Sequence, residues 1–211
     1  MFKKKEKKKE VVEAVAKAEI DEIMQTKGMD RGVTFQTDAE FIKEHGGEKA
    51  LHAVEEETKN MGYPIEYDKL KLYEWYPAGL RIISMLAVKK ILKLDDKEIK
   101  QMGRDAVKRS IITRMMMKYF ISVKTLASKV PAYWEKHLSE GCLEVVELNE
   151  DKKYIVLQLK DFKPHPILCT YLSGYFLTPM EMTTGSKTIS EETKCMHRGD
   201  EYHEFIVRWG E

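Results

Sequence analysis

The stretch that decides the fold is KTISEETKCMHRGDEYHEFIVRW, residues 187–209. Apolar side chains recur at every second position in its two halves, and the dipeptide Gly199-Asp200 stands between them. A period of two on both sides of such a turn predicts a β-hairpin, with strands at 187–196 and 202–209.

Residues 142–160 repeat this alternation and predict a second hairpin. A helix is predicted over 166–182, between the two hairpins, with Gly185 just past its end. The C-terminal half therefore has the order β-β-α-β-β. Upstream, apolar residues at helical spacing predict helices over 11–27, 37–46, 48–60, 77–93, from 95 onward, and over 113–129. The sequence thus predicts an α+β fold, in which N-terminal helices accompany a helix-covered four-stranded antiparallel sheet.

Local signals set the predicted ends of these helices. Residues 37–40, Thr-Asp-Ala-Glu, form a capping-box pattern, and the dipeptide Gly46-Gly47 stops the helix that begins there. Pro77 suits the first position of the next helix, Asp95 opens another, and Pro131 breaks or kinks the helix before it. We divide the chain into a basic tail at 1–10, a helical extension at 11–65 and an α+β ligand-binding domain at 66–211.

The charge composition excludes a surface that binds nucleic acid over its whole extent. The chain has 36 Lys and Arg against 35 Asp and Glu, a net charge of +1. Six of the lysines lie within residues 1–10, a tail that could be a solvated terminus or could contact nucleic acid or anionic lipid. No apolar run reaches the roughly 20 residues of a membrane span, and the three cysteines are scattered. We therefore expect a cytoplasmic protein with no membrane span.

The hairpin at 187–209 predicts a metal site. If its odd-numbered apolar residues share the buried face, opposing residue numbers must sum to an even value, and a sum of 398 with a five-residue loop pairs Cys195 with His203 and Thr193 with Phe205. A two-residue turn would give a sum of 399 and place Cys195 and His203 on opposite faces. Thiolate and imidazole together are ligands for zinc, and Cys169 on the intervening helix could be a third ligand. The same three residues would also suit a plain core, because small buried cysteines and a hydrogen-bonded histidine are common there. The sequence contains no CxxC pair, which would have favoured the metal site, so both interpretations stay open.

Methionine and aromatic side chains predict the wall of an apolar pocket. They cluster on the helices next to the sheet, where soft and flat side chains adapt to a lipid, a hydrocarbon or an aromatic ligand. The same cluster would also fit ordinary core packing. The predicted ligand-binding residues are Met115, Met116, Phe120, Tyr171, Tyr175, Phe176, Met180 and Phe205.

The C-terminal segment resembles the 4-vinyl-reductase-like family of small-molecule-binding domains. The resemblance spans about residues 115–209 and is carried by Cys169, Tyr171, Leu172, Gly174, Glu192, Cys195, Gly199, Asp200, His203 and Phe205. His203 stands where that family has its last cysteine, so one ligand type differs. The resemblance implies that the chain belongs to the superfamily that also contains the heme-nitric-oxide-binding domains and the Bet3-type subunits of the TRAPP tethering complex. It also implies an apolar pocket between helices and sheet, a sensor or scaffold role, and a homodimer.

Other functions find less support in the sequence. Heme is not expected, because the Tyr-x-Ser-x-Arg motif of heme-nitric-oxide-binding domains is missing. The basic stretch at 97–118 could mimic a helix-turn-helix, but no aromatic stacking residues accompany it, so nucleic acid is not expected as a partner. We favour a non-catalytic sensor or scaffold with a small apolar ligand. The alternatives are a metal-dependent or tetrapyrrole-handling enzyme of the 4-vinyl-reductase type, and a DNA-binding regulator.

Overall fold

A computed structural model describes residues 17–110 and 122–210 of the chain. In sequence order these residues form α1 (17–24), β1 (Met29–Arg31), α2 (Gly32–Asn60), a short 3-10 helix (Tyr67–Lys69), β2 (Trp75–Pro77), α3 (Ala78–Leu92), α4 (Asp96–Arg109), α5 (Val123–His137), β3 (Cys142–Asn149), β4 (Tyr154–Lys160), α6 (Pro166–Tyr175), α7 (Leu177–Thr184), β5 (Thr188–Lys194), a second 3-10 helix (Met196–Arg198) and β6 (His203–Trp209).

The C-terminal half forms a four-stranded antiparallel sheet in the order β3-β4-β6-β5. Each hairpin contributes two neighbouring strands, and β4 pairs with β6 to join them. One face of the sheet packs against the helices through large apolar side chains: Leu143, Ile155, Leu157, Leu159, Phe205, Val207 and Trp209. The predicted α+β class, both hairpins and the helix-covered sheet are confirmed.

The register of the second hairpin differs from the predicted one. Glu192 lies opposite Phe205, and a bulge at Thr193 shifts the register before Lys194 pairs with Glu204. The predicted pairing of Thr193 with Phe205 is therefore wrong. Ile189, expected on the buried face, is 45% exposed. The extra residue of a β-bulge reverses which side chains face the core. Even-numbered residues therefore face the core before Thr193, and odd-numbered residues face it after Thr193.

Helix α2 begins earlier than its sequence signals indicate. The capping box predicted at residues 37–40 is wrong, because the helix starts at Gly32 and Thr37 Oγ1 donates to the carbonyl oxygen of Thr34 within the first turns. Asp38 is buried and pairs with Arg81 of α3 instead of capping a helix. The predicted interruption at residues 46–47 is present as a kink, since Gly47 has the left-handed φ of 69°.

The remaining helices follow their end signals in part. Pro77 directly precedes α3, and Asp95 caps α4 in a reciprocal pair of hydrogen bonds with Glu98. Pro131 was predicted to break or kink its helix; a break is wrong, because α5 continues to His137, and a kink remains a prediction. The buried Trp134 lies beyond the proline, and its packing offsets the loss of one helical hydrogen bond. The single helix predicted over 166–182 is two helices, α6 and α7, which meet at Phe176.

Two glycines allow α4 and α6 to cross at very close range. A Cβ atom on Gly103 would lie 2.0 Å from the carbonyl oxygen of Tyr171, and one on Gly174 would lie 1.8 Å from the carbonyl oxygen of Lys100. Any larger residue would separate the helices. The crossing fixes α6, which carries Cys169 and part of the cavity wall described below.

One core joins the N-terminal helices and the sheet, from Phe35 of α2 to Trp209 of β6. The domain boundary at residue 65 remains a prediction. Among the helices at 17–110 and 122–210, none is both long and apolar enough to cross a membrane.

Candidate functional site

Four side chains converge between α6 and the β5–β6 hairpin. They are Cys169, Glu192, Cys195 and His203, and one ligand atom from each lies within 4.8 Å of the others. The two sulfur atoms are 3.9 Å apart, and the Cys169 Sγ is 3.7 Å from His203 Nδ1. His203 Nδ1 in turn lies 3.1 Å from Glu192 Oε1.

These distances match a tetrahedral zinc site. Bonds of about 2.3 Å to sulfur and about 2.0 Å to nitrogen place neighbouring ligand atoms about 3.3–3.8 Å apart in tetrahedral geometry. The observed separations of 3.1, 3.7 and 3.9 Å lie close to that range. The donor set of two thiols, one imidazole and one carboxylate is one that zinc accepts. The four residues could therefore hold one zinc ion with little movement.

A backbone carbonyl orients the histidine. His203 is 1% exposed, and its Nε2–H donates to the carbonyl oxygen of Phe162 at 2.8 Å. This hydrogen bond leaves the Nδ1 lone pair for the centre of the cluster. Such an outer partner fixes the tautomer of metal-binding histidines.

An arginine orients the carboxylate. Arg198 Nη1 donates to Glu192 Oε2, and Nη2 donates to the Glu192 carbonyl oxygen, both at 3.3 Å. Oε1 is left to face the cluster. Burial alone would raise the pKa of Glu192, but the neighbouring His203, Cys195 and Arg198 side chains hold that pKa below its ordinary value. The carboxylate is thus in its metal-binding form at neutral pH.

The turn after β5 presents Cys195. Its backbone N–H donates to Asp200 Oδ2 at 2.7 Å, and its carbonyl oxygen accepts from the backbone N–H of Arg198. Gly199, with a φ of 98°, closes this turn. The Gly-Asp pair of the sequence therefore positions Cys195, a candidate metal ligand, as well as reversing the chain.

Cys169 lies in the first turns of α6, which His165 caps. Burial, followed by the nearby Glu192 carboxylate and the Cys195 thiol, raises the pKa of the Cys169 thiol. Without a metal this thiol keeps its proton, and a bound zinc ion would displace it.

The structure brings together all three predicted metal ligands and adds a fourth. Strict alternation from Cys195 would place Glu192, an even-numbered residue, on the outer face of the sheet. The bulge at Thr193 turns Glu192 inward. The spacing Glu-x-x-Cys was the one signal in the sequence for this residue.

An apolar cavity of about 100 Å³ lies next to the cluster, between α5, α6 and the sheet. Its wall includes Leu126, Trp134, Leu143, Leu157, Phe162, Leu172 and Phe176. Helix α6 serves both sites, since Cys169 faces the cluster and Tyr171 the cavity. Phe162 does so as well, because its carbonyl oxygen holds His203 and its side chain lines the cavity.

Half of the predicted ligand-binding residues lie on this wall. Tyr171, Tyr175, Phe176 and Met180 line the cavity. Phe205 is not among the lining residues and packs behind Phe176, with ring centres 5.1 Å apart. Met115, Met116 and Phe120 lie outside the described residues.

The cavity has one polar side, which the sequence did not reveal. Arg81 and His137 reach its wall although both are almost fully buried. Burial raises the pKa of Tyr171 to about 12, although the neighbouring Arg81 acts in the opposite direction. Burial also lowers the pKa of His137, so this ring is neutral at pH 7. At neutral pH, Arg81 therefore carries the charge on this side.

The basic side chains of α4 have partners within the chain. Arg104 pairs with Glu181, Arg109 pairs with Glu44, and Lys100 Nζ donates to the carbonyl oxygen of Ser190. These contacts use charges that a recognition helix would offer to DNA phosphates. The rest of the basic stretch, residues 111–118, lies outside the described residues.

Structural comparison places this fold among the H-NOX proteins. An H-NOX protein from S. oneidensis aligns with a TM-score of 0.68 and 13% identity, over 86% of this chain and 96% of that one. One from K. algicida aligns with a TM-score of 0.60 and 11% identity, over 86% of this chain and 97% of that one. A trafficking protein particle complex subunit 3 from Naegleria fowleri, covalently bound to palmitic acid, aligns with a TM-score of 0.46 and 18% identity, over 60% of this chain and 90% of that one. No protein-family model and no curated protein matches the sequence.

The S. oneidensis H-NOX protein is described in an Fe(II)NO ligation state, and this iron stands against our expectation that the chain has no heme. The residues described in this chain do not fit that group. A cavity of about 100 Å³ is smaller than the ~150 Å³ that holds one benzene, and a tetrapyrrole is several times larger. The segment Tyr171-Leu172-Ser173-Gly174-Tyr175 has Tyr175 where the heme-binding motif has arginine. We therefore derive no role for heme, and its absence remains a prediction that an absorbance spectrum tests.

Proposed function

We propose that this protein is a non-catalytic sensor or scaffold module that binds a compact apolar molecule in the cavity between α5, α6 and the sheet. The observation that carries the proposal is the cavity itself, since natural cores are close-packed and seldom leave such a space. A hydrocarbon or aromatic ligand suits its wall of leucine, phenylalanine, tyrosine and tryptophan side chains.

The volume supports a small ligand over a long one. A cavity of about 150 Å³ holds benzene, whereas drug-sized ligands occupy roughly 300–1,000 Å³. At about 100 Å³ the cavity is smaller still, so a one-ring molecule is the largest ligand that it suits, and it has too little volume for an extended fatty acyl chain. Among the three ligand classes that the sequence suggested, we therefore favour a small aromatic or hydrocarbon over a lipid.

The metal cluster supports a structural role for zinc in the same proposal. Four protein ligands fill a tetrahedral shell, whereas catalytic zinc sites keep one position for water or substrate. Zinc bound to Cys169, Cys195, His203 and Glu192 would tie α6 to the β5–β6 hairpin. Because α6 forms one wall of the cavity, the ion would hold the binding site in shape.

The proposal also includes membership in the 4-vinyl-reductase-like family. The convergence of Cys169, Glu192 and Cys195 supports membership in the 4-vinyl-reductase-like family, with His203 in place of the last cysteine. A homodimer and a cytoplasmic location complete the proposal, the latter because zinc needs reduced thiols, and Cys142, Cys169 and Cys195 are all free.

Elemental analysis combined with native mass spectrometry of the purified protein tests this function. We expect one zinc per chain and a co-purified or added one-ring aromatic that binds once per chain. A chain that carries stoichiometric heme iron, or that binds no apolar molecule when zinc is present, would contradict the proposal. Masses recorded under gentle conditions also report whether the chain is a dimer.

A further inference from the structure

One charged side chain interrupts the apolar wall of the cavity from a fully buried position. Arg81 of α3 is 3% exposed and lies among the lining residues. Its Nε donates to Asp38 Oδ2 at 3.0 Å, and its Nη2 donates to Asp38 Oδ1 at 3.3 Å. This two-point contact with α2 fixes the plane and position of the guanidinium.

The guanidinium retains donors that Asp38 does not use. Arginine has five N–H groups; Asp38 takes two of them, and the Tyr171 hydroxyl accepts a further hydrogen bond from the same guanidinium. Nη1 lies 4.0 Å from Asp30 Oδ2, beyond hydrogen-bond distance. The ring of Tyr171 covers one face of the guanidinium, with its centre 4.9 Å from Cζ. A molecule in the cavity can therefore meet N–H groups that are already oriented and already desolvated.

The charges around Arg81 favour a neutral ligand over an anion. Asp38 offsets the guanidinium charge, and Asp30 adds a second carboxylate at 4.0 Å. Burial raises the pKa of Asp30 to about 6, so this carboxyl is largely ionised at neutral pH. Two carboxyl groups thus lie beside one guanidinium, and an anionic ligand would bring a third acidic group to it. Of the other ionisable residues on the wall, His137 is neutral and Lys129 is exposed to solvent.

From this arrangement we infer that Arg81 selects and orients the ligand by donating a hydrogen bond to a neutral acceptor oxygen on it. The ligand class is a one-ring molecule that carries a carbonyl-type oxygen. The inference rests on the proposed function, because it requires that the cavity bind such a molecule. Its specificity follows from buried donors that an unsubstituted hydrocarbon would leave unpaired.

Three probes of similar size test the inference on the unmodified protein. Toluene, benzaldehyde and benzoate differ in offering no acceptor, a neutral acceptor and an anionic acceptor. Titration calorimetry of the zinc-loaded chain at neutral pH should show benzaldehyde binding about tenfold more tightly than toluene, since a hydrogen bond to a charged group contributes on that order. Benzoate should bind more weakly than benzaldehyde.

The outcomes separate the inference from the proposed function. Equal affinities for toluene and benzaldehyde, or tightest binding by benzoate, would overturn the role of Arg81 and leave the proposed function intact. No measurable binding of any probe would overturn both.

A paired variant tests the residue itself. Replacing both partners, Arg81→Met with Asp38→Leu, avoids leaving a buried carboxylate without its arginine. The ratio of the benzaldehyde to the toluene affinity should fall to about one. The control is Lys90→Met with Glu57→Leu, which removes an ion pair of 2.7 Å between the same two helices at the surface. A preference for benzaldehyde that survives in the Arg81 variant, with helicity unchanged by circular dichroism, would refute the inference.

Discussion

The Nε2 atom of His203 lies 2.8 Å from the carbonyl oxygen of Phe162, whose side chain lines the cavity. A single residue therefore joins the metal cluster to the binding wall. The imidazole is held at one nitrogen by this carbonyl and offers the other to the cluster. We therefore expect a ligand that moves Phe162 to shift His203 within the cluster. We likewise expect removal of a bound metal ion to change the position of Phe162 in the cavity wall.

Loss of a metal ligand should abolish zinc binding. We expect one zinc per chain in the unmodified protein and far less in a Cys195→Ser variant, because serine is a poor ligand for zinc. The matched control is Cys142→Ser, which changes an exposed cysteine outside the cluster. Plasma emission spectrometry of dialysed protein measures both. Equal zinc in the two variants would contradict the site.

Removing the arginine that orients the carboxylate should weaken the metal without abolishing it. An Arg198→Met variant keeps all four ligands but frees Glu192, so zinc affinity should fall about 10- to 100-fold. Competition with a chromogenic chelator measures this affinity. Arg208→Met serves as control, since that guanidinium lies over Tyr154, away from the cluster. An Arg198 variant with unchanged affinity would show that Glu192 needs no support.

A methyl group at the helix crossing should disrupt the whole site. In Gly174→Ala the new Cβ would meet the Lys100 carbonyl oxygen at 1.8 Å, which forces α4 and α6 apart. We expect a loss of about 3 kcal/mol or more in the free energy of unfolding. The neighbouring Ser173→Ala removes one hydrogen bond to Thr170 and should cost about 1 kcal/mol. Urea denaturation compares them, and similar midpoints would contradict the close crossing.

The ionisation of Asp30 should lower stability as the pH rises. Its pKa is about 6 in the folded chain against 3.8 in the unfolded chain, chiefly because of burial. The folded state thus binds the Asp30 proton more tightly than the unfolded state does. The stabilisation that this proton gives to the folded state is lost as the pH rises from about 4 to about 6. The total change is up to about 3 kcal/mol.

An Asp30→Asn variant isolates this effect. The difference in unfolding free energy between unmodified protein and variant should shift by that amount in favour of the variant as the pH rises. Urea titrations at several pH values measure it. A difference that is constant with pH, or that shifts in favour of the unmodified protein, would contradict the assignment to Asp30.

The sequence predicted the sheet because alternation is a local property of each strand. Residues 142–160 and 187–209 contain strong period-two patterns, and both form hairpins. It could not predict the bulge at Thr193, since nothing in the local pattern marks where one strand gains a residue. That single residue decides that Glu192 faces the metal cluster and that Ile189 faces outward.

The sequence could not predict the polar side of the cavity, for a different reason. Asp38 lies in a run that has the form of a capping box, which is a local motif. Its actual partner, Arg81, is 43 residues away, and only the packing of α2 on α3 brings the two together. By contrast, Cys169, Cys195 and His203 could be predicted, because cysteine and histidine are few in the chain and strand parity relates two of them.

The most direct test of the binding cavity is calorimetric titration of the zinc-loaded protein with toluene, in the unmodified chain and in two methionine variants. Met180 is buried on the cavity wall, whereas Met182 is 45% exposed on the same helix. We predict one toluene per chain for the unmodified protein and for Met182→Phe, and loss of binding for Met180→Phe, because the larger ring fills the space. Equal binding in Met180→Phe and Met182→Phe, or no binding by the unmodified chain, would contradict a ligand site in this cavity.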